Sequence, residues 1–372
     1  MISAPAKVGS HVSEVDTPAL LIELDALERN IRRMQERIAG TKLRLRPHAK
    51  THKSTAIANM QVVAGAVGVC CQKVSEAEIM VDGGIGDVLI SNEVIGAAKL
   101  DRVAALARRA KVAVCVDDFD NVQQLAATAE KFGAEIAVLV ELNVGANRCG
   151  VETPAEVVRL AAAIARTKSL RFAGLQAYQG AAQHLRAHED RRRAIASAAG
   201  KVLDAGDLLR RNGLECGIVS GAGTGTFEFE IESGVYNELQ VGSYVFMDAD
   251  YGRNKDRGGE PVSEFENSLF LLTTVMSTPA AERAVVDAGL KALSVDSGMP
   301  QIVGCDGVSY ARAADEHGRL DVGGNHRFKL GEKIRLVPGH CDPTVNLHDW
   351  FVCIRNSHVE AVWPVSARGA VF

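Results

Sequence analysis

A cluster of basic residues lies between Leu43 and Lys53, where the sequence reads LRLRPHAKTHK. Pro47 predicts the end of a strand, because proline cannot donate to a sheet ladder. Lys50 would then lie just beyond the carboxyl end of that strand, where barrel and doubly wound folds carry out chemistry. Among neighbouring cations its amine would lose a proton more easily and could act as a nucleophile. The alternative interpretation is a charged strand edge that resists aggregation.

A second group of polar residues follows later strands. The segment SGAGTGT, residues 220–226, contains Thr224, and Gly242 and Ser243 lie in or just after the next strand. Glycine lets backbone N–H groups approach an anion, and hydroxyl groups add donors. Barrels often bind phosphate at the loops after strands seven and eight, so these two loops predict a phosphate site. A tight turn between a strand and a helix is the alternative.

The third cluster is VPGHCDPTVNLHDW, residues 337–350. In an extended segment His340 and Asp342 would point to the same side, with Cys341 on the opposite side. An imidazole and a carboxylate on one face can hold Mn²⁺, Mg²⁺ or Zn²⁺. A polar turn before Pro343 is the alternative, because two ligands alone are a weak signal.

The elements that must position these clusters alternate regularly. From Leu43 to Met247, strand-like runs are separated by alanine-rich amphipathic segments, which predicts parallel β–α units. The predicted strands begin near Leu43 and continue at 66–71, 87–91, 111–116, 135–143, 171–178, 217–220 and 239–247. Eight units in roughly 210 residues have the size of a (β/α)8 TIM barrel. The strand predicted at 17–25 would be a ninth strand and does not fit an eight-stranded barrel. After Tyr251, short runs of alternating apolar and polar residues predict an antiparallel β domain.

Composition excludes several classes of protein. The net charge of −4 argues against a nucleic-acid or an anionic-membrane partner. The chain has no apolar run long enough to span a membrane, and its N-terminus lacks the apolar core of a secretory signal. Eight cysteines occur without a CxxC pair, which is typical of reduced thiols. We therefore expect a cytoplasmic protein.

Together these features resemble the alanine-racemase-like (fold type III) pyridoxal-phosphate enzymes. Within that group the chain is similar to the family of D-threonine aldolase, 3-hydroxyaspartate aldolase and D-serine dehydratase. The matching motifs are RPHAKTHK, GVCCQKVSEAE, SGAGTG, YNELQVGSY and PGHCDPTVNLHD, and the resemblance covers residues 15–370. It implies a TIM barrel at 26–255 that binds pyridoxal 5′-phosphate, and a β domain, formed by 1–25 and 256–372, that carries a metal site.

The resemblance also implies roles for individual residues. Lys50, rather than Lys53, would carry the cofactor, and His52 or a metal-bound water would be the catalytic base. Further cofactor contacts, several of them to the phosphate, are implied for Gln72, Arg148, Tyr178, Thr224, Gln240, Gly242, Ser243 and Tyr251. Gln240 stands where racemases have an arginine against the pyridine nitrogen, so that nitrogen would have a neutral partner.

The metal site would consist of His340 and Asp342. Family aldolases carry His-x-Asp at this position, whereas the dehydratases typically carry His-x-Cys with zinc. A carboxylate at position 342 favours Mn²⁺ or Mg²⁺ over a metal that prefers thiolate. Such a metal would bind the 3-hydroxyl group of the substrate and lower its pKa.

The implied activity is a pyridoxal-phosphate- and divalent-metal-dependent aldolase, a lyase that cleaves D-3-hydroxy amino acids. The segments SEAE, YNELQ, MDADYGR, SVDSGMP and VWPVSARG resemble 3-hydroxyaspartate aldolases most, which release glycine and glyoxylate. D-Threonine would give glycine and acetaldehyde. Arg253, Lys255 and Arg257 are candidate cations for a second substrate carboxylate.

Two alternatives to the aldolase stay open. One is a D-serine or 3-hydroxyaspartate dehydratase. The other is a non-enzymatic pyridoxal-phosphate carrier, although such carriers lack the β domain that residues 256–372 predict. The fold resemblance further implies a homodimer.

Overall fold

The structure, a computed structural model, describes residues 3–324 and 326–372. Its strands are β1 Ala19–Glu23, β2 Arg44–Leu45, β3 Val69–Cys71, β4 Asp87–Glu93, β5 Lys111–Val116, β6 Ile136–Glu141, β7 Leu170–Gln176, β8 Ile218–Gly221, β9 Glu238–Leu239, β10 Leu269–Ala280, β11 Arg283–Val286, β12 Gln301–Ile302, β13 Val308–Ala313, β14 Gly318–Val322, β15 Lys333–Val337, β16 Trp350–Arg355 and β17 His358–Pro364. Its helices are α1 Leu24–Ile38, α2 Thr55–Val63, α3 Val74–Asp82, α4 Ala97–Leu106, α5 Phe119–Phe132, α6 Pro154–Ala165, α7 His188–Arg211, α8 Phe227–Ser233 and α9 Cys341–Val345.

Strands β2 to β9 form a parallel barrel. Their order is β2-β9-β8-β7-β6-β5-β4-β3, and every neighbouring pair is parallel. The ring closes between its first two strands through a bridge from His48 to Cys70 and a hydrogen bond from Cys70 N to Pro47 O of 2.8 Å. The predicted (β/α)8 barrel is therefore confirmed.

Local sequence signals explain where the barrel helices begin. Helix α6 starts at a capping box, in which Thr153 accepts from the backbone of Glu156 and the Glu156 carboxylate accepts from the backbone of Thr153. Asp118 caps α5 in a similar way by accepting from Asn121 N. At α5 and α6 these caps fix the start of the helix, and with it the point at which the chain leaves the loop after the preceding strand.

The inside of the barrel is filled by small and branched side chains. Buried residues from five consecutive strands, β3 to β7, pack together there, namely Cys70, Leu89, Cys115, Leu139 and Ala173. Gly174 allows β7 and β8 to approach, since a Cβ on it would lie 1.9 Å from Ile218 O. The barrel is thus a packed core, and only its mouth is open to a ligand.

The second sheet is mostly antiparallel. Its main path is β13-β14-β11-β10-β1-β16-β17, and β15 pairs with β10 and β12. Strand β1 lies antiparallel to β10 and parallel to β16, with Leu20 opposite Leu271 and Phe351. The strand that exceeded the barrel count therefore belongs to this sheet, and the fold class of barrel plus antiparallel sheet is confirmed.

One hydrophobic cluster joins the two layers. It includes Leu20 and Phe351 from the second sheet, Leu27 from α1, and Tyr244 and Phe246 just after the barrel. The packing brings the segment 337–350 close to the barrel mouth. Among the helices of the described residues, none combines the length and the apolar composition that crossing a bilayer requires.

Candidate active site

Lys50 lies in a short 3₁₀ turn, Ala49–Thr51, that follows β2. His48 caps this turn by accepting a hydrogen bond at Nδ1 from Lys50 N, 3.3 Å away. The side chain of Lys50 enters a small cavity of about 110 Å³ at the barrel mouth, where it forms an ion pair with Asp342. The predicted cofactor lysine and a predicted metal ligand are therefore in contact, although 292 residues separate them in the sequence.

The charge around Lys50 differs from the sequence expectation. Burial lowers the pKa of His48 well below its ordinary value and lowers that of His52 to about 4, so both rings are neutral near pH 7. Burial alone would lower the pKa of the Lys50 ammonium, but the Asp342 carboxylate outweighs it and the pKa is raised. The expectation that neighbouring cations ease deprotonation of Lys50 is wrong in this geometry. The two histidines are uncharged, and the carboxylate of Asp342, distant in the sequence, contacts the Lys50 ammonium.

His48 supports the mouth of the cavity and was missed as a site residue. Since its Nδ1 accepts from a backbone N–H, its remaining hydrogen lies on Nε2. Nε2 can then donate to Ser91 Oγ, 3.2 Å away. Gln72 Nε2 donates to Ser91 O at 3.4 Å, so Ser91 holds both His48 and Gln72, which line the same cavity.

His52 is fully buried and is not among the residues that line the cavity. Its Nδ1 accepts from Ser54 N at 3.1 Å, so the neutral ring carries its hydrogen on Nε2. A ring in that state has no lone pair to offer a substrate. The geometry therefore gives no support to direct proton removal by His52.

Two neighbouring loops present backbone donors to the cavity. The N–H groups of Gly223, Thr224, Gly242 and Ser243 are buried and have no acceptor within the described part of the chain. The hydroxyl of Thr224 accepts from Tyr244 N at 3.0 Å and so ties the loop after β8 to the turn after β9. Buried N–H groups that converge without partners form an anion site. The arrangement fits a phosphate group.

A buried network under the first of these loops holds its shape. Gln183 accepts from Gly225 N at 2.9 Å and donates to Thr226 Oγ1 at 2.8 Å, and Thr226 donates to Glu230 at 2.8 Å. Burial raises the pKa of Glu230 to about 8. Sequence reasoning missed this support, because Gln183 comes from the preceding loop and α8 is only seven residues long.

The floor of the cavity is a closed amide pair. Gln240 donates to Gln176 Oε1 at 2.6 Å and to Ser220 Oγ at 2.8 Å, so both hydrogens of its amide are used. Gln176 donates in return to Gln240 at 3.2 Å. A ring nitrogen placed against this pair would have an uncharged neighbour.

Aromatic side chains and one arginine form the wall of the cavity. The guanidinium of Arg148 lies 5.9 Å from the ring centre of Tyr178, within the range of a cation–π contact. Arg148 also lies 3.9 Å from the carboxylate of Glu141. Tyr251 and Thr224 line this cavity and a neighbouring one of about 830 Å³, which extends towards α7.

The backbone at His340 and Asp342 differs from the extended conformation that the sequence suggested. Helix α9 begins at Cys341, and His340 is the extended residue that precedes it. The Nδ1 of His340 lies 2.8 Å from the carboxylate of Asp296, which orients the ring. Burial would raise the pKa of Asp342, but the Lys50 ammonium and His340 hold it at about 2.

The donor set at this position fits a hard divalent metal. Asp342 Oδ1 is buried without a hydrogen-bond partner within the described residues, and an orphaned carboxylate oxygen is a natural metal ligand. Asp248, also missed from the sequence, is buried nearby, and its pKa is raised to about 6 by burial. It accepts from Cys341 N at 3.1 Å and from Tyr251 N at 2.9 Å, and thereby joins the His340–Asp342 segment to the cavity.

The structure thus gathers nearly all of the predicted site. A single cavity is lined by every predicted cofactor residue, namely Lys50, Gln72, Arg148, Tyr178, Thr224, Gln240, Gly242, Ser243 and Tyr251. Asp342 reaches it through Lys50, and His52 does not line it. The chemical roles of these residues stay predictions, but their convergence at the carboxyl ends of the strands is the geometry that a barrel enzyme uses.

Comparisons with known proteins agree with this architecture. The family model "Alanine racemase, N-terminal domain" matches residues 22–250, and a serine dehydratase domain matches residues 268–354. The 3-hydroxy-D-aspartate aldolase of Paracoccus denitrificans is 52% identical over 98% of this chain and 95% of that protein. A solved D-threonine aldolase from Filomicrobium marinum is 52% identical, with a TM-score of 0.97 over 99% of this chain and 100% of that one. The D-threo-3-hydroxyaspartate dehydratase of Delftia sp. is more distant, at 32% identity over 89% of this chain and 92% of that protein.

Proposed function

The chain belongs to the alanine-racemase-like family that includes 3-hydroxy-D-aspartate aldolase and D-threonine aldolase, and on that premise we propose which bond it cleaves and with which residues. The reaction is cleavage of the Cα–Cβ bond of a D-3-hydroxy amino acid. The preferred substrate is 3-hydroxyaspartate, which gives glycine and glyoxylate, and D-threonine gives glycine and acetaldehyde. The observation that carries the proposal is the contact between Lys50 and Asp342 at one cavity, which joins a cofactor amine to a metal carboxylate.

The cofactor is pyridoxal 5′-phosphate, held through Lys50. The free N–H groups of Gly223, Thr224, Gly242 and Ser243 support binding of its phosphate, and the Gln240–Gln176 pair would face its ring nitrogen. When bound, the cofactor accepts the electron pair that the broken bond leaves on Cα. The metal, Mn²⁺ or Mg²⁺, would be held by Asp342 Oδ1 and by His340, and it favours ionisation of the substrate hydroxyl.

The protein itself must manage two protons. The 3-hydroxyl loses one as its oxygen becomes a carbonyl, and Cα gains one after the bond breaks. For the first, a water held at the His340–Asp342 pair is favoured over His52, whose neutral ring keeps its hydrogen on Nε2. For the second, Lys50 Nζ is the amine inside the cavity and can return a proton to Cα.

Product identity tests the reaction type. Incubation with D-threonine and with 3-hydroxyaspartate is expected to yield glycine and an aldehyde, because Asp342 provides a carboxylate where the family's dehydratases typically have a thiolate. Chromatography of the amino acids and derivatisation of the aldehydes would measure both products. Release of ammonia and a keto acid instead would replace the aldolase with the dehydratase, and turnover of neither substrate would favour the carrier.

The preference for 3-hydroxyaspartate rests on Arg253. Within the described part of the chain, this guanidinium makes hydrogen bonds only through Nη2, to Asp250 and, at 2.5 Å, to Ser297 O. Ser297 Oγ lies 3.4 Å from the ring of His340, so Arg253 is beside the metal pair. Asp250 also forms an ion pair with Arg186, at 2.5 Å. Its single negative charge is therefore shared by two arginines and does not fully neutralise Arg253. Nε and Nη1 of Arg253 are thus available for a second substrate carboxylate.

Arg253→Ala should therefore act on one substrate and not the other. We expect KM for 3-hydroxyaspartate to rise about 10- to 100-fold, because a hydrogen bond to a charged group contributes about 1.5–3 kcal/mol. The KM for D-threonine should stay unchanged. Arg257→Ala is the matched comparison, since Arg257 is the other candidate arginine of the same loop and is exposed, and a larger effect of Arg257→Ala would transfer the role to Arg257. Equal losses on both substrates would remove Arg253 from substrate selection.

We further propose a homodimer and a cytoplasmic location. The eight cysteines are all free in the structure, which supports a reducing compartment. The dimer rests on the resemblance to fold type III enzymes, in which the β domain of one chain lies near the barrel mouth of the other. Light scattering of the purified protein measures it directly.

A further inference from the structure

A second group of ligating side chains lies at the barrel mouth, apart from His340 and Asp342. Glu93 ends β4, Asp117 follows β5, and Cys149 lies in the loop after β6. One ligand atom from each of the three lies within 4.8 Å of the others. Zinc–ligand distances are about 2.0–2.3 Å, so small side-chain rotations would bring all three atoms onto one ion.

The backbone fixes Cys149 beside the two carboxylates. The loop after β6 folds back on itself, and Val151 forms a parallel bridge with Leu142. Gly150 N donates to Asp117 Oδ2 at 2.9 Å. The thiol of Cys149 is therefore held against Asp117 by contacts of its own neighbours.

An independent observation indicates that a cation belongs here. Glu141, the last residue of β6, is only 4% exposed, and its Oε2 has no hydrogen-bond donor within the described residues. Glu93 Oε1 is buried without a donor in the same way. Glu93 and Glu141 both end strands at the barrel mouth, so two buried carboxylate oxygens without donors lie in the same region. Such oxygens need either a shared proton or a cation beside them.

One neighbouring cation does not satisfy this charge. Arg148 Nη2 lies 3.9 Å from the other oxygen of Glu141, beyond hydrogen-bonding distance. Three carboxyl groups and a thiol therefore share the vicinity of a single guanidinium. A divalent ion would supply the missing charge and would use the oxygen atoms that have no donor.

We propose that Glu93, Asp117 and Cys149, with Glu141 Oε2 beside them, bind a second divalent cation of the borderline class, such as Zn²⁺. The thiolate selects zinc over magnesium, because soft sulfur ligands suit Zn²⁺ and oxygen ligands suit Mg²⁺. On binding, the Cys149 thiol releases its proton to solvent and the Sγ–metal bond forms, with no change of oxidation state. The ion would fix the loop that carries Arg148, which lines the cavity of Lys50.

Zinc content and X-ray absorption of the holoenzyme test this site. Protein equilibrated with Zn²⁺ should contain two zinc ions per chain, one of them at His340 and Asp342. Its zinc absorption edge should show a sulfur neighbour at about 2.3 Å. The double variant His340→Ala, Asp342→Asn should keep the sulfur signal and lose one equivalent of zinc.

Cys149→Ser should show the opposite pattern, with loss of the sulfur signal and one equivalent of zinc. Cys216→Ser is the matched control, because Cys216 is also half-buried and lies before β8, outside the cluster. Circular dichroism of each variant checks that it is folded. A folded wild-type protein without a zinc–sulfur signal would overturn the proposal, as would a signal that survives in Cys149→Ser. A proton shared by Glu93 and Glu141 would then account for the pair. Neither outcome affects the assignment of the aldolase reaction, which product identity tests separately.

Discussion

Replacing Lys50 with alanine is expected to abolish covalent attachment of pyridoxal phosphate and to lower kcat by on the order of 10³-fold or more. Lys50 Nζ is the amine of the cavity that also contains the four free N–H groups of the proposed phosphate site. Its loss would remove both the proposed cofactor anchor and the group proposed to return a proton to Cα. Borohydride reduction of the wild-type protein, followed by peptide mass spectrometry, should find the cofactor on Lys50. The same treatment of Lys50→Ala should find it on no lysine.

Lys53 offers a matched control three residues away. It is buried and forms an ion pair of 2.6 Å with the buried carboxylate of Glu76. Lys53→Met should therefore reduce the free energy of unfolding by about 3–5 kcal/mol, because it leaves Glu76 without its partner. Cofactor attachment at Lys50 should persist in the folded fraction of this variant. If Lys53→Met lost the cofactor and Lys50→Ala kept it, the two roles would be exchanged.

This contrast indicates how far the sequence predicts the site. Lys50 and Lys53 are the same residue type in one short motif, and the pattern alone does not separate them. Their partners, Asp342 and Glu76, come from distant parts of the chain. Burial then decides the outcome, since Lys53 lies inside the fold and Lys50 opens to the cavity.

The barrel was predictable for a different physical reason. Its strands and helices alternate with a regular period, and the carboxyl ends of parallel strands must meet at one mouth. That rule alone brings Gln72, Arg148, Thr224 and Gln240 together from four separate loops. No knowledge of side-chain packing is needed for that step.

The features that the sequence did not predict depend on side-chain packing and on local backbone conformation. The strands β13 and β14 were not predicted individually, because each is only five or six residues long and the charged residues Arg312, Arg319 and Asp321 interrupt their apolar positions. The segment after His340 was taken as extended, whereas it turns into α9 at Cys341. The uncharged state of His48 and His52 follows from burial, which composition and spacing do not reveal.

Asp342→Asn is expected to lower kcat by at least about 100-fold, because removing even an outer partner of a metal ligand often costs 10- to 100-fold. The substitution keeps the shape of the side chain and removes its charge. Asp342 Oδ1 has no hydrogen-bond partner within the residues that the structure describes, and without the negative charge it should bind Mn²⁺ or Mg²⁺ weakly. Covalent attachment of the cofactor at Lys50 should remain, so the borohydride experiment separates this variant from Lys50→Ala.

Asp296→Asn should have a smaller effect on the same proposed metal site than Asp342→Asn. Asp296 does not reach Lys50 but orients His340 through Nδ1, at 2.8 Å. Its loss should weaken metal affinity by about 10- to 100-fold, since it acts through the orientation of a ligand. Excess Mn²⁺ should then restore kcat in Asp296→Asn and leave Asp342→Asn impaired. Full activity of chelator-treated wild-type protein would contradict the metal role of His340 and Asp342. Equal rescue of both variants would restrict Asp342 to the ion pair with Lys50.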